Sequence, residues 1–146
     1  MKRVFVIGVI LIFAMACQKF SAPKNSTVIS SHDEDESHEK GNNCMSCHSS
    51  AGYGSGFFTL AGSAYGNTNN ADIEVYENPN GDPIMIVPYD LQGNAYTTEP
   101  LDFGEDGLYV AVRNAAGDRT FMEDKLYNGQ CNLCHGTSIE ERIEIE

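Results

Sequence analysis

Two five-residue stretches, CMSCH at 44–48 and CNLCH at 131–135, repeat one pattern, C-x-x-C-H, toward the two ends of the chain. They contain every cysteine except Cys17. At 146 residues the chain has room for one ordinary domain with a tail. Both cysteine pairs therefore belong to the same small fold, and whatever chemistry they carry has to be built into its two ends.

The residues ahead of Cys17 set the compartment. Lys2 and Arg3 give a positive start, Val4 to Ala14 form an apolar run broken only by Gly8, and small residues lead into Cys17. This reads as an export signal over 1–16. It is short for a membrane span, which needs about 20 apolar residues. Free thiols do not persist in an oxidising compartment. Cys44, Cys47, Cys131 and Cys134 are therefore expected as disulfides, metal ligands or covalent attachment points. The formal net charge is −12, and loss of the leader with Lys2 and Arg3 makes the remainder more acidic still. Such a surface repels nucleic acid and draws basic proteins.

Residues 17–43 read as an acidic tether, poor in apolar residues and rich in Ser, Asn, Asp and Glu. The domain is expected over 44–136, opening with Gly- and Asn-rich loop sequence around the first motif. Extended segments follow at 57–66, 71–77, 84–90, 95–99 and 107–114. In 71–77, Ile73, Val75 and Tyr76 stand against Asp72, Glu74 and Glu77, and in 107–114 Leu108, Val110 and Val112 share a side. Asn80–Gly81 marks a turn, and Pro88 makes its strand edge-like or interrupted. Five or six short strands in about sixty residues predict a mainly β fold, a small β-sandwich with loops and a short helix at its ends. That helix is expected at 120–136, with Phe121, Met122 and Leu126 on one face. Residues 137–146 are an acidic tail whose Ile139, Ile143 and Ile145 either pack or fray.

C-x-x-C-H is the signature of c-type haem attachment: two thiols bond one haem and the adjacent His reaches its iron. Covalent linkage holds a cofactor without a deep pocket, which suits a small domain. The chain has only four His, and two of them stand directly behind the two cysteine pairs. The reading is two covalent haems c, held by Cys44, Cys47 and His48 and by Cys131, Cys134 and His135. The alternatives are one zinc held by four thiolates, or a disulfide-stapled binding module on the cell envelope. For the sixth iron ligand the candidates are Met122, which leads into the second motif, and His38 or His32, which fold back from the tether. The tether's imidazoles and carboxylates also suit a solvated segment or a divalent ion. Met45 sits inside a motif, and Met85 reads as strand core.

The segment before Cys17 resembles the lipobox of bacterial lipoproteins, with Ala14 where Leu is usual. The resemblance implies lipidation at Cys17, and Gln18 after it points to the outer membrane. Residues 44–136 resemble a family of bacterial exported diheme c-type cytochrome domains, in which one C-x-x-C-H precedes a small β-domain and a second closes it. The middle is similar to the carboxypeptidase-regulatory, transthyretin-like sandwich through LAGSAYG at 60–66, ADIEVYE at 71–77, DLQGNAY at 90–96 and GLYVAVRN at 107–114. FMEDKLYNGQCNLCHG at 121–136 resembles the Met-then-Cys closure of the cytochrome version. Ala95 departs from that pattern, and the middle holds no His. The resemblance implies electron transfer in the periplasm or at the cell surface. Its expected partners are a basic redox protein or another multiheme cytochrome, with self-association open. If the strands return the chain on itself, both haems are expected at one edge of the sandwich. A peroxidase would need an open distal site with acid–base groups, so a carrier rather than an enzyme is expected.

Overall fold

The computed structural model describes residues 38–54, 56–136 and 142–146. The export segment, Cys17, His32 and Ile139 lie outside the described residues. No helix among the described residues is long and apolar enough to cross a membrane.

The fold is mainly β, with seven short strands in two sheets among the described residues. In chain order they are β1 (Leu60–Gly66), β2 (Asp72–Tyr76), β3 (Met85–Pro88), β4 (Asn94–Thr97), β5 (Tyr109–Arg113), β6 (Arg119–Phe121) and β7 (Ile143–Ile145). A 3-10 turn at Cys44–Ser46 precedes β1, and a one-turn helix, α1 (Asn132–His135), precedes β7. One sheet has the order β4-β1-β7 and the other β3-β2-β5-β6. β1 runs antiparallel to β4 and parallel to β7, while all pairs in the four-stranded sheet are antiparallel. Pro88 ends an edge strand opposite Asp72, where its missing N–H breaks no inner ladder.

The sheets share one core. Leu60 and Ala64 of β1, Ala95 of β4 and Ile145 of β7 meet Ile73, Val75, Val87 and Val110 of the other sheet. Burial of a side chain such as Leu60 or Ile73 contributes about 1.5–3 kcal/mol. The alternation read in 71–77 is present but does not leave its polar face wet. All five residues of β2 are buried, because β2 lies between β3 and β5 and two arginines close over it. Arg113 pairs with Asp72 and with Glu74 at 2.9 Å, and Arg119 reaches Glu74 at 2.5 Å. The Tyr76 hydroxyl donates to Glu74 as well. The hydrogen bond from Arg119 is the main force holding the Glu74 carboxyl below its usual range. The Tyr76 bond and the charges of both arginines add to it, and burial opposes them.

The segment before the second motif departs from expectation. A helix was expected from residue 120, but Arg119–Phe121 is a strand paired with Ala111–Arg113. The Met122 amide donates to Val110 O at 2.9 Å, and Leu108 and Leu126 exchange backbone hydrogen bonds at 2.8 and 2.9 Å. The turn at 114–118 folds the chain straight back along β5, through bonds from Asp118 and Gly117 around Asn114. The pairing ladder of β5 is then nearer than any helical partner, and β-branched Thr120 and aromatic Phe121 suit it. Among the described residues, α-helix is confined to α1. At the other end of the chain, Ile145 of the acidic tail packs into the core.

Candidate functional site

Both C-x-x-C-H motifs fold into the same single turn. In the first, Cys47 N and His48 N donate to Cys44 O at 3.2 and 2.9 Å. In the second, Cys134 N and His135 N donate to Cys131 O at 3.2 and 2.9 Å. Positions i, i+3 and i+4 of such a turn share one face, so each turn groups its two thiols with its imidazole. Asn43 starts the first turn, its side chain accepting from Met45 N at 3.2 Å.

The two turns stand side by side on β1. Along one flank of β1, Ala61 N donates to Gly129 O and Cys131 N to Ala61 O. Ser63 N then donates to Asn132 Oδ1 at 2.8 Å, and from Ala64 onward the flank pairs with β7. The second motif thus fills the sheet edge between Gln130 and β7. The first motif is fastened to the same place: Gly41 N donates to Ser63 Oγ at 2.9 Å, and Asn43 Nδ2 donates to Gln130 Oε1 at 3.0 Å. The seat depends on Gly62, since a Cβ there would lie 2.7 Å from Cys131 Cβ.

His48 is buried, its ring stacked on Phe58 at 4.3 Å, and Phe58 stacks on Tyr96 at 5.0 Å. Its Nδ1 lies 3.4 Å from Gly56 O. A hydrogen bond there makes Nδ1 the protonated nitrogen and leaves the lone pair on Nε2, the arrangement of a metal-ligating histidine. The loop that supplies Gly56 passes so close that a Cβ on Gly54 would lie 2.7 Å from His48 Nδ1. The Gly-rich composition after the first motif therefore serves close approach to the imidazole. His38 stands with its ring centre 5.9 Å from that of His48. Asn94 Nδ2 donates to His38 O at 3.4 Å and holds the segment there.

The four thiols differ. Cys134 is exposed, Cys44 and Cys47 are half-buried, and Cys131 is buried in the core; none forms a disulfide. Burial, reinforced by the neighbouring Cys44 and Cys134, pushes the Cys131 thiol up to about 12. Burial also raises the Cys44 thiol, and Cys47 adds to the shift. Four thiolates on one zinc would bring all four sulfurs within about 4 Å of one another. No group of three or more His, Cys, Asp or Glu is placed to hold a metal ion among the described residues.

The first motif fits covalent haem directly: reachable thiols, an oriented imidazole, and a second imidazole at a suitable distance. At 5.9 Å between ring centres, His48 and His38 are the two imidazoles that would hold the iron of the first group. The second motif fits in its turn, in exposed Cys134 and in half-buried His135. Buried Cys131 adds a condition, that attachment precedes closure of the core. Met122 follows β6 directly and bonds to Val110 O on the four-stranded sheet, whereas both motifs lie on the three-stranded one. Sequence reasoning missed Phe58, Tyr96, Ser63, Asn94 and Asn132. Only Asn132 carried a signal, a polar amide inside a motif. Comparison of the chain with protein-family models, with curated proteins and with solved structures returned no match.

Proposed function

We propose that this protein is an exported electron carrier with two covalently bound haems, one on each C-x-x-C-H turn. The observation that carries the reading is the pairing of two turns with the same hydrogen-bond pattern on adjoining ground of one strand, with a second imidazole beside His48. When bound, haem supplies a one-electron ferric/ferrous couple. Each thiol would add its S–H across a vinyl group, a C–S and a C–H bond replacing the S–H bond and the C=C π bond with no change in electron count. Cys44 and Cys47 hold the first group, Cys131 and Cys134 the second. His48 and His135 would each hold the iron of their own group, and Gly56 O fixes the orientation of the His48 ring. His38 would hold the iron of the first site together with His48. Phe58 and Tyr96 wall off the buried side of His48, which keeps water from that imidazole and sets the local dielectric.

The acidic surface steers a basic redox protein or a multiheme cytochrome into brief contact. Export, and anchoring of Cys17 to the outer membrane through lipid, place that contact in the periplasm or at the cell surface. Carriage rather than catalysis is proposed because the imidazole at the first site serves as a ligand instead of an acid–base group.

A spectroscopic redox titration of protein from a host that matures c-type cytochromes tests this. Two reversible one-electron steps in haem absorbance are expected. A colourless protein that binds one zinc, or that carries two disulfides, would overturn the proposal.

A further inference from the structure

Asn132 belongs to the second motif by sequence, but its side chain bonds outside that motif, to Ser63 of β1 and to Asn42 just ahead of the first motif. It is only 5% exposed. Its Oδ1 accepts from Ser63 N at 2.8 Å. Its Nδ2 donates to Asn42 O at 2.8 Å and to Ser63 Oγ at 2.9 Å, and lies 4.0 Å from Cys44 Sγ. Ser63 is fully buried on β1 and extends the network: its hydroxyl accepts from Gly41 N at 2.9 Å and donates to Asn94 Oδ1. Asn94 in turn holds the backbone of His38. The side chains of Asn132 and Ser63 have partners for all their polar atoms. A buried network satisfied in this way fixes one arrangement of its members, and a broken member leaves buried groups unpaired.

We propose that Asn132, seated on Ser63, is a positioning residue that locks the two haem-attachment turns to each other and so sets the electronic coupling between the haems. This rests on the diheme reading above and deepens it. Transfer between two redox centres falls steeply with their separation and depends on their orientation. A carrier with two haems therefore gains from a clasp that is rigid and independent of the haems themselves. The clasp spans residues 41–44, β1 and residues 130–132. The network's reach to Asn94 ties the same clasp to the segment carrying His38, so the ligand side of the first site is set together with the spacing.

The test uses the mature holoprotein, with intact mass to count haems and electron paramagnetic resonance of the oxidised form to read magnetic interaction between them. Wild type is expected to carry two haems with interacting signals. Asn132→Leu and Ser63→Ala, each still carrying two haems, are expected to show two independent haem signals. Ser63 lies outside both motifs, so its variant decides the matter if Asn132→Leu fails to fold. Glu74→Gln, which weakens the other sheet without touching the clasp, is expected to keep the wild-type interaction. The proposal is overturned if wild type carries two non-interacting haems, or if Ser63→Ala keeps the interaction. Two non-interacting haems would leave the carrier reading standing, whereas a wild type without haem would remove both.

Discussion

The 5.9 Å separation of the His38 and His48 rings gives the proposed ligand role of His38 a testable signature. His38→Ala is expected to convert half of the haem from low-spin to high-spin absorbance, leaving the other half unchanged; an unaltered spectrum would remove His38 from the site. Thiol burial gives a second residue-level expectation. In unloaded protein, iodoacetamide should modify exposed Cys134 first and buried Cys131 last, in an order that peptide mass mapping reads. Attachment at Cys131 should likewise fail when haem is offered to the folded, unloaded chain. The sequence named His38, His48 and all four domain cysteines, because their chemistry is carried by residue type and spacing. It did not reveal that His38 faces His48. The segment SHDEDESHE has the composition of solvated chain, and what places His38 is contact with Asn94, distant in sequence and bonded through the backbone. Local pattern carries no trace of such a bond. The ring stack of Phe58 and Tyr96 under His48 was hidden for the same reason.

At the scale of elements, the seat of the second motif on β1 depends on the absent side chain of Gly62. Gly62→Val should overpack the contact with Cys131 and cost about 1–3 kcal/mol, read as a lower denaturant midpoint at unchanged slope. A neutral Gly62→Val would show that the motif is not pressed against the strand. On the other sheet, the lowered Glu74 carboxyl makes an acid-side prediction. Its ion pairs stabilise the fold fully above the ordinary Glu range, near pH 4.3. That contribution is lost as pH falls through the lower folded value, because the unfolded chain takes up the proton first. Glu74→Gln should therefore reduce stability at neutral pH and flatten the decline below pH about 4, as thermal melts across pH will show. Five strands were legible from alternation and turn residues. The strand at 119–121 was not, since TFMEDKL fits a helical stripe as well as a hairpin return, and only the turn at 114–118 decides between them. Glu74 was read as a wet residue because alternation reports which face a side chain takes, and not that Arg113 and Arg119 cover that face.

For the whole molecule, the sandwich closes the chain on itself so that motifs more than eighty residues apart in sequence share one strand. The expectation of a common edge for the haems rested on the sandwich form; what the fold brings together is the two motifs, through Asn43, Gln130 and Asn132. The net charge of −12 bears on encounter rather than on fold. Reduction by a cationic one-electron donor should slow as salt is raised from low to physiological strength, while an anionic donor of similar potential should speed up; stopped-flow absorbance measures both, and rates indifferent to salt would remove electrostatic steering. Everything functional depends on the two turns carrying covalent haem. Intact mass spectrometry of denatured protein from a maturation-competent host tests this most directly. Two haem masses are predicted in wild type, one after Cys44→Ala/Cys47→Ala and one after Cys131→Ala/Cys134→Ala; an unmodified mass for the wild-type chain would contradict the account.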